Sequence, residues 1–238
     1  SLDRRQRQMC IRDSKKPVSL VAGSSGLVGS LILRNLSNMP GSIISLVRKK
    51  KNNYKNITEK IINFDDLHKG LVNINEKIDH VYLCLGKRIS TYELGYMPKS
   101  NRESFKKIDL DYSLEIAKLG LKNGAKSIAL VSAIGAEEGS INYYFHIKGK
   151  LENSLKSIGY KNICFARPGH LLGEREEFRG YEIPILESAL SLAAPFMQGP
   201  LMNFRQIEAA KVAEKMVKIT TEKEGLSILS YSDFIKRD

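Results

Sequence analysis

Three side chains in this sequence have the types and the spacing for proton chemistry. Tyr144 and Lys148 stand four residues apart in YFHIK, so a helix puts them on one face. Ser132 closes an apolar run, IALVS at 128–132. A phenol has a pKa of about 10, too high for easy proton exchange at neutral pH. A neighbouring ammonium favours phenolate, so the value for Tyr144 is expected to fall. A serine hydroxyl can hold a substrate oxygen while the tyrosine gives or takes its proton. Tyr143 is the wrong neighbour, because Ile147 lies one helical turn on from it. The catalytic candidates are Ser132, Tyr144 and Lys148.

A second constellation, GSSGLVG at 23–29, lies between an apolar run and a helix-like stretch. In that setting it reads as a dinucleotide-binding turn. Gly23 permits the tight turn, Gly26 lets a pyrophosphate reach the backbone, and Gly29 lets helix and strand pack closely. The helix N-terminus offers N–H groups to the phosphates. The expected contacts are Gly23, Ser25, Gly26, Leu27, Val28 and Gly29. Farther on, an acidic residue would mark NAD and an arginine NADP. No Asp or Glu occurs between Ser14 and Thr58. Instead Arg48 ends the second apolar run, followed by Lys49, Lys50 and Lys51. A guanidinium forks onto phosphate oxygens, so NADP(H) is expected in preference to NAD(H). Lys50 and Lys51 equally suit a solvated loop.

The hydrophobic pattern supplies the elements that must position these groups. Runs at 17–22, 42–47, 60–64, 79–85, 127–131, 162–166 and 226–229 read as strands. Helical spacing predicts helices over 27–36, 102–123 and 142–158. The second of these should bury Ile108, Tyr112, Leu114, Ile116 and Leu119, and the third Ile147, Leu151, Leu155 and Ile158. Two more helical patterns follow Arg167. Strands alternating with helices imply an α/β fold: a doubly wound, Rossmann-like parallel sheet with right-handed crossovers. One domain is expected over 15–238, with 168–238 forming a small helical lobe on the substrate side. Within 87–100, Tyr92, Tyr96 and Met97 are either a flexible apolar lid or loop packing. His170 and Arg175 are candidates to face a substrate, though Arg175 could instead pair with Glu174 or Glu176.

Composition narrows the class. The chain has 238 residues, 42% apolar and 27% charged, which is ordinary for a globular domain. No apolar run reaches the ~18 residues of a transmembrane helix. Three cysteines without zinc-ligand spacing read as reduced packing residues, with no metal site and a cytoplasmic location. The net charge of +12 would suit a nucleic acid or an anionic membrane. It equally suits a lysine-rich surface around an anion-binding cleft. The lysines are dispersed and no arginine–aromatic module occurs, so a small-molecule substrate is expected rather than a specific nucleic acid. Residues 1–14 lack both apolar period and the core of a secretory signal. They are set outside the domain, either as foreign sequence or as a basic targeting arm.

With these motifs the sequence resembles an atypical short-chain dehydrogenase/reductase and is similar to the Tat-interacting-protein-like oxidoreductases. The matching pieces are the glycine turn, LCLG at 83–86, IDLDY at 108–112, VSAIGA at 131–136, Tyr144-x-x-x-Lys148-Gly149, and RPGHLLGER at 167–175. The resemblance implies an NADPH-dependent reductase or dehydrogenase using Ser132, Tyr144 and Lys148. It implies that Lys148 also bonds the nicotinamide ribose. Leu85, Gly86 and Pro168 would line the cofactor channel, and Asn63 and Phe64 would flank the adenine. A homodimer through the long helices also fits it. Three departures stand out: Asn63 replaces a usual acidic residue, the region 87–100 is longer than the loop of shorter relatives, and Asp109 falls where many relatives carry a relay asparagine. A cofactor-sensing protein without turnover is the alternative; it would need only the glycine turn.

Overall fold

The apolar strands zip together side by side. In the computed structural model, which describes residues 16–50, 56–173 and 197–236, the strands are β1 (Val18–Ala22), β2 (Ser42–Val47), β3 (Ile57–Ile61), β4 (His80–Leu83), β5 (Ser127–Val131), β6 (Asn162–Ala166), β7 (Leu171–Leu172), β8 (Ile207–Glu208) and β9 (Gly225–Leu229). Seven of them form one all-parallel sheet in the order β3-β2-β1-β4-β5-β6-β9. The short β7 and β8 pair separately. The winding reverses between β1 and β4, and ligands of such Rossmann-like sheets bind outside the carboxyl ends at that switch point.

Strand side chains alternate between two cores. Leu20, Ile44, Val81, Ile128 and Phe165 face one, and Val21, Ile43, Tyr82, Ala129 and Cys164 face the other. Helix α1 (Leu27–Ser37) covers the second face. The short α2 (Thr91–Gly95) precedes a long helix built from α3 (Lys99–Lys106), a π-helical segment (Lys107–Asp111) and α4 (Tyr112–Lys122). That long helix and α5 (Tyr143–Ile158) cover the first face. Helix α6 (Ala209–Glu222) joins α1, and α7 (Tyr231–Ile235) ends the described chain.

Several expectations shift. The third strand is Ile57–Ile61, not 60–64: Asn63 accepts from the Asp65 N–H and opens a 3-10 turn, Phe64–Asp66. The true strand is the mixed sequence ITEKI at a sheet edge, so apolar density pointed past it. The long helix starts earlier than 102 and its buried line is Phe105, Leu110, Ile116, Ala117 and Gly120. Ile108, Tyr112, Leu114 and Leu119 are only half-buried, because the π segment adds a residue to its turn and resets the phase. In α5, Ile147, Leu151 and Leu155 are buried as expected, while Ile158 is only half-buried. Within 87–100, Ser90 and Glu93 form a reciprocal cap on α2. Met97 is buried, while Tyr92 and Tyr96 lie exposed, ring against ring. The 1–14 tail, Lys51, Glu174, Arg175, Glu176 and the rest of 174–196 in the expected substrate-side lobe fall outside the described residues.

Gly120 sits where α4 meets the sheet. A Cβ there would run into the Val81 side chain and lie 2.8 Å from the Tyr160 hydroxyl. Gly120→Ala would gain about 1 kcal/mol of helix propensity on an exposed helix. Here overpacking of about 1–3 kcal/mol should win, and the melting temperature should drop by a few degrees rather than rise. Thermal denaturation of the variant gives the sign.

Candidate active site

The glycine turn forms because β1 must hand the chain to α1 against the end of β4. Gly23 has φ +84°, and a Cβ on it would collide with the Cys84 carbonyl. A Cβ on Gly29 would strike the Gly23 carbonyl. Ser24 is buried and accepts from the Ser45 hydroxyl at 2.8 Å, which ties the turn to β2. Ser25 and Gly26 stand exposed above α1. Gly26 at its N-cap has no side chain to cap it, and no carboxylate lies in its first turn. The residues present therefore fit a pyrophosphate, offering it backbone N–H groups and the positive end of a helix dipole.

The other expected contacts ring this turn unevenly. Val28 and Gly29 are buried in packing, and Leu27 is half-buried. Arg48, Lys49 and Lys50 are exposed at the end of β2. Asn63 is exposed with its carbonyl oxygen committed to the Asp65 N–H, and Phe64 is buried against the Tyr112 ring at 5.5 Å. Leu85 is half-buried and Gly86 open at the end of β4. Pro168 is buried, and its carbonyl accepts from the Ile134 N–H at 3.1 Å.

Helix α5 brings the tyrosine and lysine to the same strand ends. Asn142 caps it, accepting from the Tyr144 N–H at 2.9 Å while its own amide donates to the carbonyls of Leu94 and Gly95. Gly149 lets the helix press onto the loop at Glu137 and Glu138, where a Cβ would collide with backbone. Lys148 Nζ lies 6.0 Å from the centre of the Tyr144 ring, and that ring packs on Phe105 at 5.6 Å. Lys148 also has a partner: the Asp109 carboxylate, at 2.8 Å. Burial works against the Lys148 ammonium, but Asp109 and then Tyr144 outweigh it and raise its pKa. The Tyr144 phenol is raised rather than lowered. Burial is the main cause, Lys148 pulls the other way, and Asp109 adds to the rise. The expectation from the Tyr-Lys spacing counted only the ammonium.

Ser132, buried at the end of β5, turns elsewhere. Its hydroxyl donates to Glu152 at 2.5 Å. Glu152 is 1% exposed and accepts the Arg167 fork, Nε at 2.9 Å and Nη2 at 2.5 Å. The structure thus brings together Tyr144, Lys148 and Asp109, and separately Ser132, Glu152 and Arg167. Glu152 and Arg167 escaped the sequence reasoning. A carboxylate one turn beyond Lys148, beside an apolar stripe, was the signal that could have found it. His146 points away, with Nδ1 2.6 Å from the Glu138 carbonyl.

Comparison with known proteins places this geometry. No family model matches the chain. Protein FMP52, mitochondrial, of Candida albicans is 29% identical over 198 residues, covering 82% of this chain and 85% of that one. The FMP52 protein of Lodderomyces elongisporus is 30% identical over 166 residues, 68% of this chain and 70% of its own. Protein HTATIP2 of Rattus norvegicus is 26% identical over 165 residues, 67% and 64%. The chain is an atypical short-chain dehydrogenase/reductase of the group that holds FMP52 and HTATIP2. Among solved structures, ElxO with NADP bound has a TM-score of 0.69 at 14% identity, covering 93% of this chain and all of that one. A short-chain dehydrogenase family protein from Francisella tularensis gives 0.66 at 16% identity, with 93% and 100% coverage. Both likenesses are of fold. The FMP52 relatives are named mitochondrial, which overturns the cytoplasmic location expected from cysteine usage. Reduced thiols mark a reducing compartment and do not tell the cytosol from other such spaces.

The Glu152–Arg167 pair makes a stability prediction. Arg167→Ala strands a buried carboxylate, which costs about 3–5 kcal/mol for a sealed pair. Arg167 is itself a quarter exposed, so the lower end applies. The variant should melt roughly 6–12 °C below the natural protein. Arg167→Lys, which keeps the charge and loses the fork, should fall between them in calorimetry.

Proposed function

We propose that this chain is an NADPH-dependent oxidoreductase acting on a carbonyl or alcohol substrate, with Ser132, Tyr144 and Lys148 as its catalytic set. The observation that carries the reading is the seating of Tyr144 and Lys148 on one face of α5, at the strand ends that also hold the uncapped start of α1. ElxO, of similar fold, was solved with NADP, which supports a nicotinamide cofactor. The FMP52 names support a mitochondrial location.

When bound, the dinucleotide supplies or takes the hydride at the substrate carbon. The backbone of Ser25, Gly26 and Leu27 would hold its pyrophosphate, and Arg48 the 2′-phosphate of its ribose. In reduction, Tyr144 gives its hydroxyl proton to the substrate oxygen as that oxygen gains charge, leaving an alcohol. Oxidation runs the same transfer backward, with the phenolate taking the proton. Lys148 keeps a positive charge under the phenol throughout. Ser132, whose hydroxyl donates its hydrogen bond to Glu152, has oxygen lone pairs left to accept from the substrate hydroxyl or from Tyr144.

A second reading is a cofactor-sensing protein without turnover. It is favoured by Ser132 donating to Glu152 and by Lys148 already holding a carboxylate.

NADPH should bind more tightly than NADH, and Arg48→Glu should weaken NADPH binding by at least about tenfold, from loss of a charge-assisted hydrogen bond worth roughly 1.5–3 kcal/mol. Equal affinity of the natural protein for both dinucleotides, measured by calorimetric titration, would remove the NADP preference.

Tyr144→Phe keeps the ring and loses the proton. In a screen of carbonyl compounds followed by NADPH oxidation, its turnover should be roughly 10²–10⁴-fold below natural, with NADPH affinity nearly unchanged. Ser132→Ala should behave similarly, while Lys148→Met should harm both. A Tyr144→Phe protein that works at the natural rate overturns the mechanism. No turnover across the screen, with NADPH binding that alters association with another protein, selects the sensor.

A further inference from the structure

Asp109 is a buried carboxylate with a partner on each oxygen. It sits in the π-helical segment, where the long helix takes an extra residue into its turn. One carboxylate oxygen lies 2.8 Å from Lys148 Nζ, and the other accepts from the Lys87 N–H at 2.8 Å. The side chains of the pair are 6% and 2% exposed, so water screens neither charge. The carboxylate thereby links three pieces of the site: the loop after β4, the long helix and α5.

An ammonium stabilises a phenolate only as far as its own charge is left uncompensated. Among the described residues two charged groups face the Tyr144 phenol: Lys148, one turn along the same helix, and Asp109, from the π segment. Phe105 and Phe145 supply ring contacts at 5.6 and 5.2 Å. Around Lys148 stand Asp109, Tyr144 and Glu152, with the Cys84 thiol at the end of β4, which burial pushes up to about 12 and so keeps neutral.

We propose that Asp109 is a positioning residue which, by occupying Lys148, keeps the Tyr144 hydroxyl protonated and sets the site to donate a proton rather than to accept one. The upward shift at Tyr144, with burial as its first cause and Asp109 opposing Lys148, agrees with this. The meaning of the device rests on the oxidoreductase reading. For reduction the acid stands ready. For oxidation the phenolate must first form against the carboxylate, so the reverse reaction should need alkaline conditions.

The test uses the whole protein with tyrosine carbon-13 labelled at Cζ, titrated by NMR without cofactor or substrate. The chain has ten tyrosines, and the Tyr144 signal is the one missing from Tyr144→Phe. Asp109→Asn keeps an acceptor for the Lys87 N–H and should lower the Tyr144 midpoint by at least about one pH unit, a tenfold loss of proton affinity. Lys148→Met should raise it, and the double variant should return it close to the natural value. The Tyr160 signal should stay in place in all of them. An unmoved or raised midpoint in Asp109→Asn, an unmoved midpoint in Lys148→Met, or equal movement of Tyr160, overturns the assignment. NADPH binding is measured on the same samples. Its absence from the natural protein would sink the oxidoreductase reading and leave the phenol result standing.

Discussion

A carboxylate removed from water is stable only where a cation and hydrogen-bond donors replace the solvent. Among the described residues two carboxylates are buried, both at the carboxyl ends of the strands, and α5 supplies one partner of each ion pair. Asp109 meets Lys148, and Glu152, itself on α5, meets Arg167 and Ser132. Tyr144, Lys148 and Glu152 follow one another at four-residue steps along that helix, so one line of α5 carries the chemistry and the charge balance together. Rotating the helix about its axis would leave one or both carboxylates without a partner. Apolar packing through Ile147, Leu151 and Leu155 seats α5 on the sheet. The ion pairs fix which face it shows to the cleft.

The cleft itself follows from a different economy. Glycines at 23 and 29 bring backbone against backbone where any side chain would collide, and the start of α1 is left without a cap. Unsatisfied N–H groups at a helix end are tolerable at the surface and useful beside an anion. One wall of the site thus carries ion-paired side chains, and the other is backbone at an open helix end.

The sequence carries the architecture well because its strands are buried on both faces and read as apolar runs. The edge strand β3 escaped for the opposite reason: ITEKI alternates and is half-exposed, so the apolar run beside it drew attention. Tyr144, Lys148 and the glycine turn were legible because their spacing is local. The partners of Ser132 and Lys148 were not, because both contacts join distant parts of the chain. Ser132 meets Glu152 across 20 residues, and Lys148 meets an aspartate on another helix. The direction of the Tyr144 shift depends on that aspartate and on burial, neither of which a helical wheel displays. The π segment has no composition of its own, and only the misfit of the expected stripe betrays it.

That segment has a hereditary consequence. A π turn behaves as a single inserted residue in an otherwise regular helix. Removing any one residue from 107–111 would let the helix become regular, and its own hydrogen bonding would improve. Because the wide turn absorbs its extra residue locally, the turns on either side would keep their phase, with Phe105 in the core and Gly120 against the sheet. The loss would fall on Asp109, whose place between Lys148 and the Lys87 N–H belongs to the wide turn. The lineage of this chain can therefore shed a residue there and keep its fold, but not keep that carboxylate in its place.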